Sequence, residues 1–301
     1  MKPNSKIFVA TSSFFEPTSE FKKLLNKKNF FLKKNPLKKK LNEKQLTTFA
    51  AGSKYIIAGT ETYNKSTIDK LKNLKYLFRL GSGIDNVDTK YLKKKKIHFS
   101  KSQITPEIAV AELIVGYIFS FYRSIPEHNE NLKKKLWYKK MGYVLNGKTV
   151  GIIGYGKVGK YLHKILKGFG VKILINDKKK INQKNCNLSE LIKQSDIISV
   201  NINVVSTTPL LDKSKLDLCK KNCLIINTSR PEVIDYEYLY KIIKKNKVLG
   251  ACLDVFLSEP YYGKFRNLKN VILSPHIGGY SKEIRLKMEE EALRKILKSK
   301  I

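Results

Sequence analysis

The chain has 301 residues and a formal net charge of +35 at pH 7, because 60 lysines and arginines face only 25 aspartates and glutamates. At this length two compact domains are the default expectation, and a hydrophobic content of 42% is enough to build their cores. No apolar run reaches the roughly 18 residues that a membrane-spanning helix needs, so we expect no membrane association.

The excess of lysine could reflect a nucleic-acid surface or an ordinary solvated surface. Lysine supplies nearly all of the positive charge, in runs such as 93–96, 133–135 and 178–180 that fall in predicted loops throughout the chain. Nucleic-acid grooves instead favour arginine and interleave aromatic residues. We therefore favour a solvated surface without a specific nucleic-acid partner, whose positive field attracts small anions.

Cysteine usage and the N-terminus bear on location. The segment KIFVAT near the N-terminus is too short and broken for a signal peptide, and it is better explained as a first strand. The cysteines have no spacing typical of a disulfide framework or a metal site, which favours a cytoplasmic protein with reduced thiols and no metal. They are Cys186, Cys219, Cys223 and Cys252.

Residues 1–100 alternate between short apolar runs and amphipathic segments. This alternation favours a parallel sheet with crossover helices. The third strand runs directly into GSGIDNVD, a loop in which glycines flank Ser82. The predicted strands are 6–11, 54–59, 76–80 and 96–100. The predicted helices are 19–27, 45–51 and 65–71.

The pattern then changes to a long apolar helix. EIAVAELIVGYIFSFYRSI predicts a helix over residues 107–125, with Pro106 at its start and Pro126 at its end. A lysine-rich stretch follows, in which we expect Trp137 to have a packing role. The later predicted strands are 149–153, 171–175, 196–202, 223–228, 251–256 and 270–274, and a closing helix is predicted over 281–301.

The strongest local pattern lies around the strand predicted at 149–153. Gly154, Gly156 and Gly159 form G-x-G-x-x-G between this strand and a helical segment, and a second strand ends just before Asp177. Such glycines allow a tight turn, close approach of the pyrophosphate and close packing of helix on strand. The pattern predicts a bound dinucleotide on the helix N-terminus.

Asp177 favours NAD over NADP as that dinucleotide. Its carboxylate accepts a hydrogen bond from the ribose 2′-hydroxyl and repels a 2′-phosphate. Lys178–Lys180 oppose this repulsion in part, but we still expect NAD. The turn residues expected to contact the cofactor are Gly154, Tyr155, Gly156, Lys157, Val158 and Gly159.

Three later segments each place one functional side chain just after an apolar run. These are Arg230 in INTSRPEVID, Glu259 in LDVFLSEP and His276 in SPHIGGY. A forked cation for a carboxylate, an imidazole, and a carboxylate to hold the imidazole are the groups needed to interconvert a 2-hydroxy acid and a 2-oxo acid. Taken singly, each residue has an ordinary alternative as an ion-pair partner, a turn residue or a structural histidine.

With these motifs in order, the chain resembles the D-isomer-specific 2-hydroxyacid dehydrogenases over residues 54–290, most of all phosphoglycerate-dehydrogenase-type members. The resemblance implies two doubly wound parallel-sheet α/β domains, one a Rossmann NAD-binding domain and the other flavodoxin-like. It implies a catalytic substrate domain of residues 1–104 plus 281–301 and a Rossmann domain of residues 105–280. It also implies a homodimer built through the helix from residue 107 and the following arm.

The resemblance also assigns roles. Arg230 matches the arginine that binds the substrate carboxylate and carbonyl oxygen, Glu259 the glutamate that orients the histidine, and His276 the general acid/base. Asp254 corresponds to the aspartate near the nicotinamide carboxamide. Further expected cofactor contacts are Thr208, Thr228 and Gly278, and the expected substrate contacts are Arg79, Gly81, Ser82 and Gly83.

The chain departs from the family pattern in two places that concern the substrate. Pro231 stands where the family usually has glycine after the arginine. Phosphoglycerate-type members tend to carry a basic residue where this chain has Ala58–Gly59, and Arg79 is best placed to compensate. We expect an NAD-dependent oxidoreductase for a D-2-hydroxy acid, slightly favouring 3-phosphoglycerate. The alternative is a non-enzymatic, NAD-sensing corepressor-like protein.

Overall fold

The computed structural model describes residues 5–81, 83–179, 181–183, 185–202 and 208–299. The strands are β1 (Ser5–Val9), β2 (Phe30–Lys34), β3 (Tyr55–Ala58), β4 (Tyr76–Arg79), β5 (His98–Lys101), β6 (Thr149–Ile153), β7 (Lys172–Asn176), β8 (Ile197–Val200), β9 (Leu224–Asn227), β10 (Gly250–Leu253) and β11 (Val271–Leu273). The α-helices are α1 (Ser19–Lys27), α2 (Glu43–Phe49), α3 (Lys65–Lys70), α4 (Thr89–Lys94), α5 (Glu107–Tyr122), α6 (Ile125–Lys133), α7 (Lys157–Leu166), α8 (Leu188–Gln194), α9 (Lys213–Leu216), α10 (Tyr236–Lys244) and α11 (Lys282–Lys298).

The chain divides into two compact units. The boundaries follow Pro106 and Tyr280, so that α11 returns to the unit that holds β1 to β5. We call this the first unit, and we call residues 107–280 the second unit. Each unit contains its own parallel sheet.

The sheet of the first unit has the strand order β2-β1-β3-β4-β5, with every pairing parallel. This is the flavodoxin-like order, in which the chain reverses direction beside the first strand. All four residues of β3 are buried. From α11, Met288, Ala292 and Leu293 pack into the core that covers one face of this sheet.

The sheet of the second unit has the order β11-β10-β9-β8-β6-β7, again with parallel pairings. An isolated parallel bridge from Ile175 to Asn185 lies beyond β7. The chain therefore runs outward from β6 on one side and then returns to β8 on the other side. This reversal is the switch point at which dinucleotides bind in Rossmann sheets. The predicted fold class is confirmed.

The edge strand β2 was not predicted from the sequence. Its segment, FFLKK, is followed by more lysines, and the resulting charge obscures the apolar pattern. Lysine on an edge strand is nevertheless typical, because charge discourages pairing with another chain. A solvated edge therefore carries a weaker sequence signal than the buried strands beside it.

The helix predicted over 107–125 ends earlier than expected, and a second helix that was not predicted follows it. Helix α5 ends at Tyr122, Ser124 has a left-handed φ of 48°, and α6 begins at Ile125 with Pro126 in its first turn. The backbone N–H groups in the first turn of a helix have no helical partner. Proline, which lacks this N–H, is therefore tolerated there, and Pro126 begins α6 instead of ending α5. The axes of α5 and α6 meet at 60°. In the described ranges no single helix is long and apolar enough to cross a membrane, and only this bent pair reaches those criteria when its members are combined.

Candidate active site

The three predicted functional side chains follow three neighbouring strands. Arg230 lies just beyond β9, Glu259 beyond β10, and His276 beyond β11. Since β9, β10 and β11 are adjacent and parallel, their carboxyl ends lie at one edge of the sheet. This edge is where open α/β sheets bind ligands.

Glu259 and His276 are in direct contact. The His276 Nδ1 atom lies 3.0 Å from each carboxylate oxygen of Glu259. The glutamate is fixed from its other side by the backbone N–H of Phe256, which donates to Oε1 over 3.2 Å. With Nδ1 bonded to the carboxylate, Nε2 is the ring nitrogen that can exchange a proton with a ligand. The pair has the geometry of a histidine oriented for acid–base chemistry.

The backbone of His276 adopts an uncommon conformation. Its φ is +55°, in the left-handed region, which costs a residue other than glycine about 1–2 kcal/mol. The loop is held there by Asp254, whose carboxylate accepts from the N–H groups of Ile277 at 2.8 Å and Gly278 at 2.7 Å. A Cβ at Gly278 would lie 3.1 Å from Asp254 Oδ2. Glycine therefore lets the loop close tightly on the carboxylate.

Asp254 belongs to a buried hydrogen-bonded chain that the sequence did not predict. Its side chain is fully buried and accepts from the Ser274 hydroxyl, which in turn is bonded to the Tyr117 hydroxyl from α5. Burial raises the pKa of Asp254, while the donors from Ser274 and the loop N–H groups lower it. Burial also raises the pKa of Tyr117, which keeps its hydroxyl a neutral donor. These hydrogen bonds link α5 to the loop that carries His276.

Arg230 is positioned by a buried asparagine at the end of β9. Asn227 donates through Nδ2 to the Arg230 carbonyl at 2.9 Å and accepts at Oδ1 from the Ser229 N–H at 3.0 Å. The Arg230 Nη1 atom donates to the Ser229 carbonyl at 2.8 Å. Pro231 begins a short 3₁₀ turn, Pro231–Val233, where its missing N–H is tolerated. The replacement of the usual glycine is thereby accommodated.

The glycine turn after β6 has the features that a dinucleotide requires. Gly154 has a φ of +92°, and a Cβ there would lie 2.7 Å from the Asn201 carbonyl oxygen. A Cβ at Gly159 would lie 2.1 Å from the Gly154 carbonyl oxygen. At Gly156, the N-cap of α7, an added Cβ would meet nothing within 4 Å, so the backbone is open to a ligand. The residues of the turn therefore fit a pyrophosphate on the N-terminus of α7.

Asp177 lies beside this turn, at the end of β7. Its carboxylate accepts from the Tyr155 N–H at 2.6 Å and from the Lys179 N–H at 2.8 Å. These bonds aim the carboxylate while leaving lone pairs for a ribose hydroxyl. Of the other expected cofactor contacts, Thr228 directly follows β9, and Thr208 is an exposed loop residue.

The expected substrate loop follows β4 in the first unit. Gly81 has a φ of +144°, and a Cβ there would lie 2.8 Å from the Arg79 Nη1 atom. Arg79 donates from Nη1 to the Leu80 carbonyl at 2.5 Å and from Nε to Asn86 Oδ1 at 3.3 Å. The expected contact Ser82 lies outside the described residues. Arg79 thus supports the shape of this loop.

The second unit matches a known family over most of its length. Residues 115–278 match the family described as D-isomer specific 2-hydroxyacid dehydrogenase, NAD binding domain. This range is more than half of the chain. The chain belongs to this family.

Curated relatives of this dehydrogenase agree with the assignment. It is 32% identical to a glyoxylate reductase of Thermococcus litoralis, over 79% of this chain and 77% of the relative. It is 35% identical to a hydroxypyruvate reductase of Thermotoga maritima, over 77% of this chain and 79% of the relative. A D-3-phosphoglycerate dehydrogenase of Methanocaldococcus jannaschii is 30% identical over 90% of this chain, but the match spans only 53% of that protein.

Solved structures show the same fold. A structure from Polaromonas sp., described as a member of this family, has a TM-score of 0.86 at 23% identity and covers 98% of this chain and 96% of its own. A D-lactate dehydrogenase of Aquifex aeolicus, complexed with NAD and lactic acid, has a TM-score of 0.77 at 24% identity and covers 97% and 94%.

Family membership settles the general activity. The dehydrogenase is an NAD-dependent oxidoreductase that interconverts a D-2-hydroxy acid and its 2-oxo acid. The relatives are named as reductases and dehydrogenases, which supports the enzymatic prediction and not the corepressor-like alternative.

Proposed function

We propose that the dehydrogenase reduces a short 2-oxo acid, with Arg230, Glu259 and His276 as its catalytic residues. The Arg230 guanidinium matches a carboxylate in a forked arrangement and polarises the C2 oxygen, on which negative charge develops during reduction. His276 donates a proton from Nε2 to that oxygen, and in the reverse direction it takes the proton from the hydroxyl. Glu259 orients the ring through its contact with Nδ1.

The observation that carries this proposal is the contact of His276 Nδ1 with both Glu259 oxygens at 3.0 Å. NAD, when bound, accepts or supplies the hydride. The protein residues that would hold it are those of the Gly154–Gly159 turn and Asp177. Gly81 and Gly83 would present backbone N–H groups to a substrate carboxylate.

A substrate panel tests the proposal. NADH oxidation is followed with glyoxylate, hydroxypyruvate, pyruvate and 3-phosphohydroxypyruvate, for the wild type and for His276→Asn. We expect turnover of at least one 2-oxo acid by the wild type and a loss of roughly 10²–10⁴-fold in kcat in the variant. His98→Asn, at an exposed histidine of β5, is the matched control and should stay within about twofold of the wild type. Turnover of none of these acids contradicts the proposal.

We further propose that two copies of the chain associate through α6 and the segment that follows it. Trp137 is 81% exposed and Met141 is 95% exposed, so Trp137 does not pack in the core of its own chain, and its expected packing role stays a prediction. Ile125, Leu132, Tyr138 and Val144 are also exposed in this region. Monomeric proteins rarely expose so much apolar surface in one stretch. Light scattering should give the mass of a dimer, and a monomer for Trp137→Glu.

The two units have separate proposed roles, and the thiols suggest a location. The second unit holds the NAD-binding turn, and we propose that the first unit is the substrate domain.

The four cysteines, all in the described part of the chain, form no disulfide. This suits a reducing compartment, and we propose a cytoplasmic enzyme.

A further inference from the structure

A buried carboxylate lies at the carboxyl end of β3, where a phosphate-binding cation was expected. Glu61 is only 1% exposed, and its Oε2 atom accepts a hydrogen bond from the Gly59 N–H at 2.8 Å. A Cβ at Gly59 would lie 3.0 Å from Oε2 and 3.3 Å from Oε1. The carboxylate therefore fills the space that a side chain at position 59 would need.

Asn86 ties this carboxylate turn to the substrate loop. Its Nδ2 atom donates to the Gly59 carbonyl at 3.1 Å and to the Glu61 carbonyl at 2.5 Å, and its Oδ1 accepts from Arg79 Nε. Burial raises the pKa of Glu61, while the Gly59 N–H and the charge of Arg79 lower it. Arg79 is thus bonded within its own loop, and Asn86 joins it to the turn that carries Glu61.

The turn and the loop lie at the same edge of the first sheet. Strands β3 and β4 are adjacent and parallel, Glu61 follows β3, and Gly81–Gly83 follow β4. The carboxyl edge of such a sheet is the ligand-binding edge. A substituent on a substrate held by Gly81 and Gly83 would therefore meet the field of the Glu61 carboxylate.

Resting on the proposed function, we infer that Glu61 is a specificity-determining residue that restricts the enzyme to 2-oxo acids without a phosphate. A phosphate beside a buried carboxylate is repelled, and Arg79 already donates hydrogen bonds to Asn86 and to the Leu80 carbonyl. The inferred substrates are small, singly charged acids such as glyoxylate and hydroxypyruvate. This inference opposes the slight preference for 3-phosphoglycerate drawn from the sequence.

Hydroxypyruvate and 3-phosphohydroxypyruvate differ only in the phosphate, so their ratio of kcat/KM is the direct readout. For the wild type we expect hydroxypyruvate to be preferred by about tenfold or more. Glu61→Gln keeps an acceptor for the Gly59 N–H but removes the negative charge. It should lower this ratio by roughly tenfold, because the repulsion between the carboxylate and the phosphate is then removed. Glu43→Gln, which removes a surface carboxylate paired with Lys70, is the matched control and should leave the ratio unchanged.

The possible outcomes distinguish a failure of the inference about Glu61 from a failure of the proposed function. A wild type that prefers the phosphorylated acid overturns the inference about Glu61, while the proposed function stands. A wild-type preference for hydroxypyruvate that persists in a folded Glu61→Gln also overturns it. A wild type that reduces none of the tested 2-oxo acids overturns the proposed function and, with it, the inference. If Glu61→Gln does not fold, the wild-type ratio and competitive inhibition by inorganic phosphate remain decisive, since strong inhibition contradicts the inference.

Discussion

Among single residues, Arg230 is the one proposed to bind the substrate carboxylate. Replacing it by lysine keeps the positive charge but removes the planar fork, so that one ammonium must replace two parallel N–H donors. We expect Arg230→Lys to lower kcat/KM for the preferred 2-oxo acid by roughly 10²-fold or more. The dissociation constant of NADH, measured by fluorescence, should stay close to that of the wild type. Arg123→Lys, at an exposed arginine after α5, is the control. Near-wild-type turnover in Arg230→Lys would remove the arginine from the mechanism.

Asp177 is the single residue that we expect to determine the choice of cofactor. Its carboxylate is aimed by the N–H groups of Tyr155 and Lys179 and would repel a 2′-phosphate. We expect the wild type to prefer NADH to NADPH, and Asp177→Asn to reduce that preference by about tenfold through the lost repulsion. The ratio of kcat/KM for the two cofactors measures this. An unchanged ratio in the variant would show that another group selects the cofactor.

The contact between α5 and the His276 loop belongs to the scale of elements. Tyr117→Phe removes the hydroxyl that is bonded to Ser274. Ser274, which donates to Asp254, then loses its contact with α5. We expect a loss of about 1 kcal/mol in the free energy of unfolding and a fall in kcat of roughly 3- to 30-fold, with KM little changed. Urea unfolding and steady-state kinetics measure both quantities.

Tyr122→Phe provides the control for this element contact. Tyr122 is a buried tyrosine of the same helix, packed against Tyr143 and placed away from Asp254. Its substitution should leave kcat near the wild-type value. If both variants lower kcat equally, the effect reflects the stability of α5 and not the position of His276.

The elements most accessible from the sequence are the buried parallel strands. Runs such as LIIN and YIIA are apolar throughout, because strands covered on both faces need no polar side. The edge strand β2 and the helix α6 were missed because their signals are mixed: lysines occupy β2, and a proline that begins α6 was interpreted as the end of α5. Local patterns do not distinguish these cases.

The candidate site was predictable where a motif marks it. Arg230, Glu259 and His276 each follow an apolar run, and the structure brings the latter two into contact. The link from Tyr117 to Ser274 was not predictable, because these residues are far apart in the chain and a hydroxyl within an apolar helix has no characteristic spacing. Glu61 gave no signal either, since burial of a loop carboxylate depends on tertiary packing that a local sequence pattern does not reveal.

At the scale of the whole molecule, the charge of +35 is the feature most open to a different interpretation. If it reflects a solvated surface, association with duplex DNA should be weak, independent of sequence and lost steeply as salt rises. Fluorescence anisotropy with two unrelated duplexes at several salt concentrations tests this. Nanomolar binding to one sequence at physiological salt would instead indicate a regulatory role.

The stereochemistry of the product tests whether this protein is a D-2-hydroxyacid dehydrogenase with the proposed catalytic residues. The family assignment and the proposed roles of Arg230 and His276 require that hydride and proton add to the 2-oxo acid in one fixed orientation. The wild type is allowed to reduce hydroxypyruvate with NADH, and the glycerate formed is resolved by chiral chromatography. We expect D-glycerate alone; L-glycerate, or a mixture of the two isomers, would contradict the family assignment and the proposed roles.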